Sequence, residues 1–158
     1  VYDNHIEQLF EPGKNYLYVD VGGGSTEINL ISEGELKSSR SYNIGTVRML
    51  SGMVKNEEKE QMHTDLEVLA KEYAPIHIIG SGGNINKLFR LADKKDKKQL
   101  FLPLASLQDI YRTVIVPAAE IFMEVATRVQ ANGIIVPTIG LSDGIIDSLY
   151  TKNRQWMQ

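Results

Sequence analysis

Tyr16-Leu17-Tyr18-Val19-Asp20-Val21-Gly22-Gly23-Gly24-Ser25-Thr26-Glu27 is the stretch on which the reading of this chain turns. Its first half alternates, with Leu17, Val19 and Val21 on one face, and it is rich in aromatic and β-branched residues, which predicts a strand. The glycines interrupt it. Glu27 to Ser32 resumes strand character, Glu33-Gly34-Glu35 reads as a turn, and Leu36 to Ile44 is a third extended piece ending at Gly45. Strands joined by turns this short predict an antiparallel meander. At the first turn a strand carries the Asp20 carboxylate to its end. Successive glycines then let the backbone turn with its N–H groups exposed, a nest suited to phosphate oxygens, and Ser25 and Thr26 add hydroxyls. Glu27 opens the next strand, so the hairpin returns it to the neighbourhood of Asp20. Two hard oxygen ligands beside a phosphate cradle suit Mg²⁺, which takes one or two carboxylates and fills its shell with water and substrate oxygens. The plainer alternative is a glycine-rich hairpin with Asp and Glu capping the turn. Such turns are common; a D-x-G-G-G-S-T-E octet with a strand on each side is not.

Downstream the periodicity changes. Met62, Leu66, Leu69, Ala70 and Tyr73 fall on one face of a helix that starts near Lys55 and stops at Pro75. Ile76-His77-Ile78-Ile79 is a short apolar run expected to be a buried strand. Gly80-Ser81-Gly82-Gly83-Asn84 separates it from a helix with Ile85, Leu88, Phe89 and Ala92 inward, the layout that aims helix N–H groups at an anion. A longer helix begins at Pro117, a favoured first-turn residue, with Ile121, Phe122, Val125 and Val129 as its stripe. Ile134-Ile135-Val136 predicts another strand, and Ser142 could cap a last helix carrying Ile145, Ile146 and Leu149. The order β-β-β-α-β-α-α-β-α predicts an α/β fold: a mixed five-stranded sheet with helices on both faces. Gly140-Leu141-Ser142-Asp143-Gly144, also before a helix, reads more simply as a cap than as a third anion site.

Composition bounds the function. The chain has 158 residues, 42% hydrophobic and 23% charged, which suits one domain with a buried core. A net charge of −3 does not favour nucleic acid or an anionic membrane as the main partner. With no cysteine, disulfides, thiol catalysis and Cys-ligated zinc are excluded. No apolar run reaches the roughly 18 residues of a membrane span, and no signal peptide is visible. The basic run Ala92-Asp93-Lys94-Lys95-Asp96-Lys97-Lys98 is either a polyanion patch or a solvated loop, and its interleaved aspartates favour the loop. His5, His63 and His77 lack metal-like spacing; His77, inside an apolar strand, reads as a core histidine. Trp156 either packs on a further lobe or frays with the terminus.

The octet at 20–27, followed by Gly45-Thr46-Val47-Arg48, GSGGNINKL from Gly80, Ile135-Val136-Pro137 and GLSDGII from Gly140, resembles the exopolyphosphatase / guanosine pentaphosphate phosphohydrolase (Ppx/GppA) family. Order and spacing agree over residues 16–150. The resemblance implies a ribonuclease-H-like, actin-like ATPase lobe over 16–152, the second lobe of its protein, with 1–15 a connector and 153–158 a tail. It implies that Asp20 and Glu27 hold the divalent metal and orient water. Gly22, Gly23, Gly24, Ser25 and Thr26 would cradle terminal phosphates, and Ser81, Gly82 and Gly83 would close the other side of the cleft. Arg48 would either reach the polyanion or be an exposed or salt-bridged helix residue. The implied activity is Mg²⁺-dependent release of terminal phosphate from inorganic polyphosphate or guanosine pentaphosphate. The implied setting is the bacterial cytoplasm, without nucleic-acid or membrane partners, in a protein that can be a homodimer at full length. The family's first phosphate loop and catalytic glutamate would lie upstream of Val1, so the chain is expected to be a piece of a longer enzyme and inactive alone. A phosphate- or nucleotide-sensing module without catalysis, and an actin-like kinase or ATPase lobe, are the alternatives. Residues 110–120 resemble the family's R-A-D-x-I-V-P-A stretch, but the helical segment expected before it is nearly absent, as though residues were missing near 106–113.

Overall fold

The computed structural model describes residues 10–137. In chain order these form β1 (Asn15–Val21), β2 (Thr26–Ser32), β3 (Glu35–Tyr42), α1 (Thr46–Leu50), α2 (Asn56–Tyr73), β4 (Ile76–Ser81), α3 (Gly83–Leu91), β5 (Phe101–Pro103), α4 (Leu104–Thr113), α5 (Pro117–Arg128) and β6 (Gly133–Ile135). The strands make one mixed sheet in the order β3-β2-β1-β4-β6-β5. The meander is antiparallel, β4 runs parallel to β1, β6 runs parallel to β4, and β5 closes the far edge antiparallel to β6. This is the ribonuclease-H-like arrangement, with six strands where five were expected.

β1 lies inside the sheet, and its sequence accounts for that. Leu17, Val19 and Val21 enter the main core, while Tyr16 and Tyr18 are buried on the opposite face. A strand apolar on both faces is stable only between neighbours and between layers. The main core joins those residues to Ile28, Leu30, Ile78 and Ile134 of the sheet. From the helices it takes Met62 and Leu66 of α2, Ile85 and Leu88 of α3, Leu107 of α4, and Phe122 and Val125 of α5. Every described helix longer than α1 therefore buries its stripe on this face. Tyr16, Tyr18, Ile31 and Ile79 form a smaller cluster on the other. The described helices thus cover one face of the sheet. The helix expected after Ser142, the Gly140–Gly144 turn and Trp156 lie outside the described residues.

Three elements depart from the expected order. α1 and β5 are too short to show a period: five and three residues. α4 is ten residues long, Leu104–Thr113, and runs into the 110–120 stretch, with six of its residues ahead of it. Its pattern was legible, because Leu104, Leu107, Ile110 and Tyr111 recur at helical spacing and all pack on the core.

Two side chains of the basic run, Lys95 and Asp96, have structural roles. Lys95 Nζ donates to the carbonyls of Phe89 (2.7 Å) and Arg90 (3.0 Å), capping the C-terminus of α3. Asp96 Oδ1 accepts the amides of Lys98 and Gln99, both at 3.0 Å. The loop sits at the opposite end of α3 from Gly83, about 13 Å along the axis of a nine-residue helix. His77 is half-buried rather than core, its ring centroid 5.8 Å from that of Tyr16. His63 bridges α2 to α5 through Glu124, 3.0 Å away.

Candidate active site

The hairpin between β1 and β2 ends its ladder at the pair Val21–Thr26, leaving Gly22 to Ser25 as the turn. Gly22 donates its amide inward, to the Ser25 carbonyl at 2.9 Å. The carbonyls then meet α1 one after another. That of Gly22 accepts the Thr46 amide at 3.0 Å, and that of Gly23 accepts Val47 at 3.0 Å and Arg48 at 3.3 Å. The Gly24 carbonyl accepts Nε of Arg48 at 2.6 Å. In a trans peptide the N–H points opposite to the carbonyl of the same plane. With the carbonyls of 22, 23 and 24 held toward α1, the amides of Gly23, Gly24 and Ser25 must point away from it. Those amides donate to no backbone carbonyl among the described residues. The result is a row of outward N–H groups, a backbone geometry suited to an anion such as phosphate.

α1 approaches this closely because Gly45 carries no side chain. A Cβ there would collide with the Gly23 carbonyl. A second tie lies beneath: Thr26 Oγ1 donates to the Ile44 carbonyl at 2.6 Å, and Thr26 is wholly buried.

Asp20 and Glu27 are partners in the β1–β2 register, so their side chains leave the same face of the sheet. Alternation from Leu17, Val19 and Val21 puts that face away from the helices, the side to which the amides of the turn also point. Glu27 is exposed and Asp20 half-buried. Like charges directly opposite are unfavourable in a sheet, and a cation is the kind of group such a pair can hold.

β4 brings the second glycine turn alongside. Ser81 pairs with Asp20 in the parallel β1–β4 register, and Asn84 Nδ2 donates to the Val21 carbonyl at 2.7 Å. Gly82 sits at φ +96°, and a Cβ on it would lie 2.8 Å from Asp20 Oδ1. Backbone conformation and contact with the carboxylate both require glycine there. The turns at 22–25 and 81–83 therefore share one edge of the sheet, as expected, and Gly83, itself exposed, opens α3.

The expected site residues divide accordingly. Gly23, Gly24 and Ser25 present amides, Gly82 adjoins Asp20, Gly83 opens α3, and Asp20 and Glu27 share a face. Two expected donors are turned elsewhere: Gly22 directs its amide into the turn, and Thr26 gives its hydroxyl to Ile44. Both support the turn from behind, and Ser81 is buried beside it. Arg48 forms no ion pair among the described residues and lies against the Gly24 carbonyl. Asn84, inside the second motif, was missed as a site residue; an amide side chain at the start of a helix resembles an ordinary helix residue.

Two carboxylates fit a Mg²⁺ ion that keeps most of its water and takes phosphate oxygens. Among the described residues no third His, Cys, Asp or Glu completes a metal-binding group.

The sequence of residues 5–77 matches the Ppx/GppA phosphatase family. No curated protein matches the chain in sequence. Among solved structures, the chain resembles the Aquifex aeolicus PPX-GPPA enzyme with TM-score 0.64 and 22% identity, over 93% of this chain and 60% of that one. It resembles the type II variant of the Aquifex aeolicus Ppx/GppA phosphatase with TM-score 0.63 and 22% identity, over 90% and 59%. It resembles an exopolyphosphatase from Cytophaga hutchinsonii with TM-score 0.64 and 19% identity, over 86% and 57%. The chain thus spans about three-fifths of the length of these structures. Residues 5–77 thus resemble the Ppx/GppA phosphatase family in sequence, and most of the chain shares the fold of the solved Ppx/GppA structures.

Proposed function

We propose that the chain is the second, metal- and phosphate-holding lobe of a Mg²⁺-dependent phosphoanhydride hydrolase that releases terminal phosphate from inorganic polyphosphate or guanosine pentaphosphate. The observation that carries this reading is the row of outward amides at Gly23, Gly24 and Ser25 beside the paired carboxylates of Asp20 and Glu27. Backbone amides held in place need no reorganisation as charge builds on the phosphate oxygens, which is where electrostatic catalysis is most effective. The amide row would bind the terminal phosphate, and the first turn of α3 would bound the cleft on its other side. Mg²⁺, held by Asp20 and Glu27, would neutralise charge developing on the transferred group. Glu27, the more exposed of the two, is placed to orient the attacking water.

One lobe with a single cradle leaves the substrate exposed to water, where electrostatic contacts weaken and the reacting atoms are not held in line. The 158-residue chain alone is therefore expected to bind phosphate without useful turnover. The test is phosphate release from polyphosphate and from guanosine pentaphosphate, with and without Mg²⁺, by the full-length protein, by this chain and by the full-length Glu27→Ala variant. The variant should lose about 10²-fold or more in kcat, in the range of a positioned acid–base group. Its unfolding free energy should change by no more than about 0.5 kcal/mol, as for an ordinary surface site. Full activity of Glu27→Ala removes that residue from the mechanism. Robust turnover by the 158-residue chain overturns the division of roles, and tight phosphate binding without turnover in the full-length protein indicates a sensing module instead.

A further inference from the structure

Arg48 invites a simple reading, a guanidinium waiting for a polyanion. Its contact says something more specific. Nε donates to the Gly24 carbonyl at 2.6 Å, the shortest tie between α1 and the turn. The other two carbonyls of the turn are held by backbone amides, from Thr46, Val47 and Arg48 itself. Those ties exist whenever α1 is formed, whatever its side chains. The third peptide plane, Gly24 to Ser25, has no backbone donor among the described residues; there the side chain of Arg48 holds it. Gly24 is free to rotate that plane, as glycine is elsewhere, and rotation would swing the Ser25 amide out of the row.

We infer that Arg48 is a positioning residue of the phosphate cradle: its Nε–H, acting on the Gly24 carbonyl, aims the Ser25 amide at the bound phosphate, and its charge is not the active feature. The inference rests on the cradle reading above and deepens it by assigning the third amide its support. It also separates two properties that arginine combines. Glutamine carries a neutral N–H donor the same number of bonds from the backbone as Nε. Lysine keeps the charge but moves its donor one bond further out. Methionine keeps the reach and has neither.

The experiment uses the 158-residue chain and the variants Arg48→Gln, Arg48→Lys and Arg48→Met, followed by backbone NMR, first without ligand and then during titration with tripolyphosphate and Mg²⁺. Without ligand, Arg48→Gln should keep the Gly24 carbonyl and Ser25 amide shifts near those of the unaltered chain, whereas Arg48→Met and Arg48→Lys should move them. With tripolyphosphate, Arg48→Gln should bind within about 3-fold of the unaltered chain. Arg48→Met and Arg48→Lys should bind about 10-fold more weakly, the order expected for one hydrogen bond to a charged group. In them the Gly23 and Gly24 amides should still respond while Ser25 does not. Retention by lysine with loss by glutamine would overturn the proposal in favour of direct charge recognition. Unchanged Ser25 and Gly24 shifts in ligand-free Arg48→Met would overturn it outright. Failure of the unaltered chain to bind tripolyphosphate would instead count against the cradle, while the ligand-free shifts still decide the role of Arg48.

Discussion

Adjacent residues of one motif do different work here. Ser25 and Thr26 both carry hydroxyls and stand side by side, yet Ser25 belongs to the open turn while Thr26 is the first residue of β2 and fully buried. Strand alternation decides this: Thr26 shares a face with Ile28 and Leu30, and that face is the core. Its hydroxyl is the partner of the buried Ile44 carbonyl, 2.6 Å away. Thr26→Val keeps the β-branched shape and leaves that carbonyl unpaired. It should cost about 1–3 kcal/mol in denaturant unfolding, the usual penalty for an orphaned buried group. Tripolyphosphate affinity of the folded variant should stay within about 3-fold, because the lost group is a net hydrogen bond's worth removed from behind the cradle and not from it. Affinity collapsing in a folded Thr26→Val variant would return Thr26 to the phosphate site.

At the scale of elements, the proposed site is the meeting of a hairpin turn, a five-residue helix and the start of α3. α1 could not form stably by itself, since helices this short are far below the length at which propagation outweighs nucleation. It exists because its first amides have the carbonyls of Gly22 and Gly23 as acceptors and because Met49 packs on the main core. The turn is in turn shaped by α1, so the two are one cooperative unit. Gly45→Ala tests this. The added methyl meets the Gly23 carbonyl, and one chain must retreat. Overpacking of this kind should destabilise by about 1–3 kcal/mol in chemical denaturation. Unlike Thr26→Val, it should also abolish the response of the Gly23 and Gly24 amides to tripolyphosphate. A Gly45→Ala protein that binds normally would show that α1 does not set the shape of the turn.

Across the molecule, the sheet separates chemistry from support. The C-terminal ends of β1 and β4 carry the glycine turns, while their N-terminal ends carry Asn15 and Ile76, paired in the β1–β4 register. Near that far edge His77 lies beside Tyr16, and burial there holds its imidazole below the ordinary value of 6.5, with Lys14 acting in the same direction and Glu11 opposing. A histidine harder to protonate when folded binds fewer protons than in the unfolded chain. Its effect on stability is therefore absent well above pH 6.5 and grows destabilising as pH falls from there through the folded pKa. His77→Gln should flatten that part of the stability–pH profile between pH 7 and 5 in thermal unfolding, leaving tripolyphosphate affinity at pH 7.5 unchanged. An identical acid slope in the variant would assign it to other groups.

The sequence by itself determined that β1, β2 and β3 form a meander, that carboxylates bracket a glycine turn, and that a second glycine turn precedes a helix. Those features are local: a period of two, a turn residue or a capping position is set by neighbours a few residues apart. The long stripes of α2, α3 and α5 were legible for the same reason. Only the tertiary structure decided which face of each strand became the core. With that came the fates of individual residues: Thr26 and Ser81 turned inward, Gly22 closed its own turn, and Arg48 took the Gly24 carbonyl as its partner. α1 and β5 appeared only there as well, because elements of five and three residues owe their existence to bonds from outside themselves. The direction of an amide in a glycine turn is not a property of glycine, which permits nearly every direction. It is set by whatever holds the carbonyl on the other side of the peptide plane, and here that is a helix more than twenty residues further along the chain.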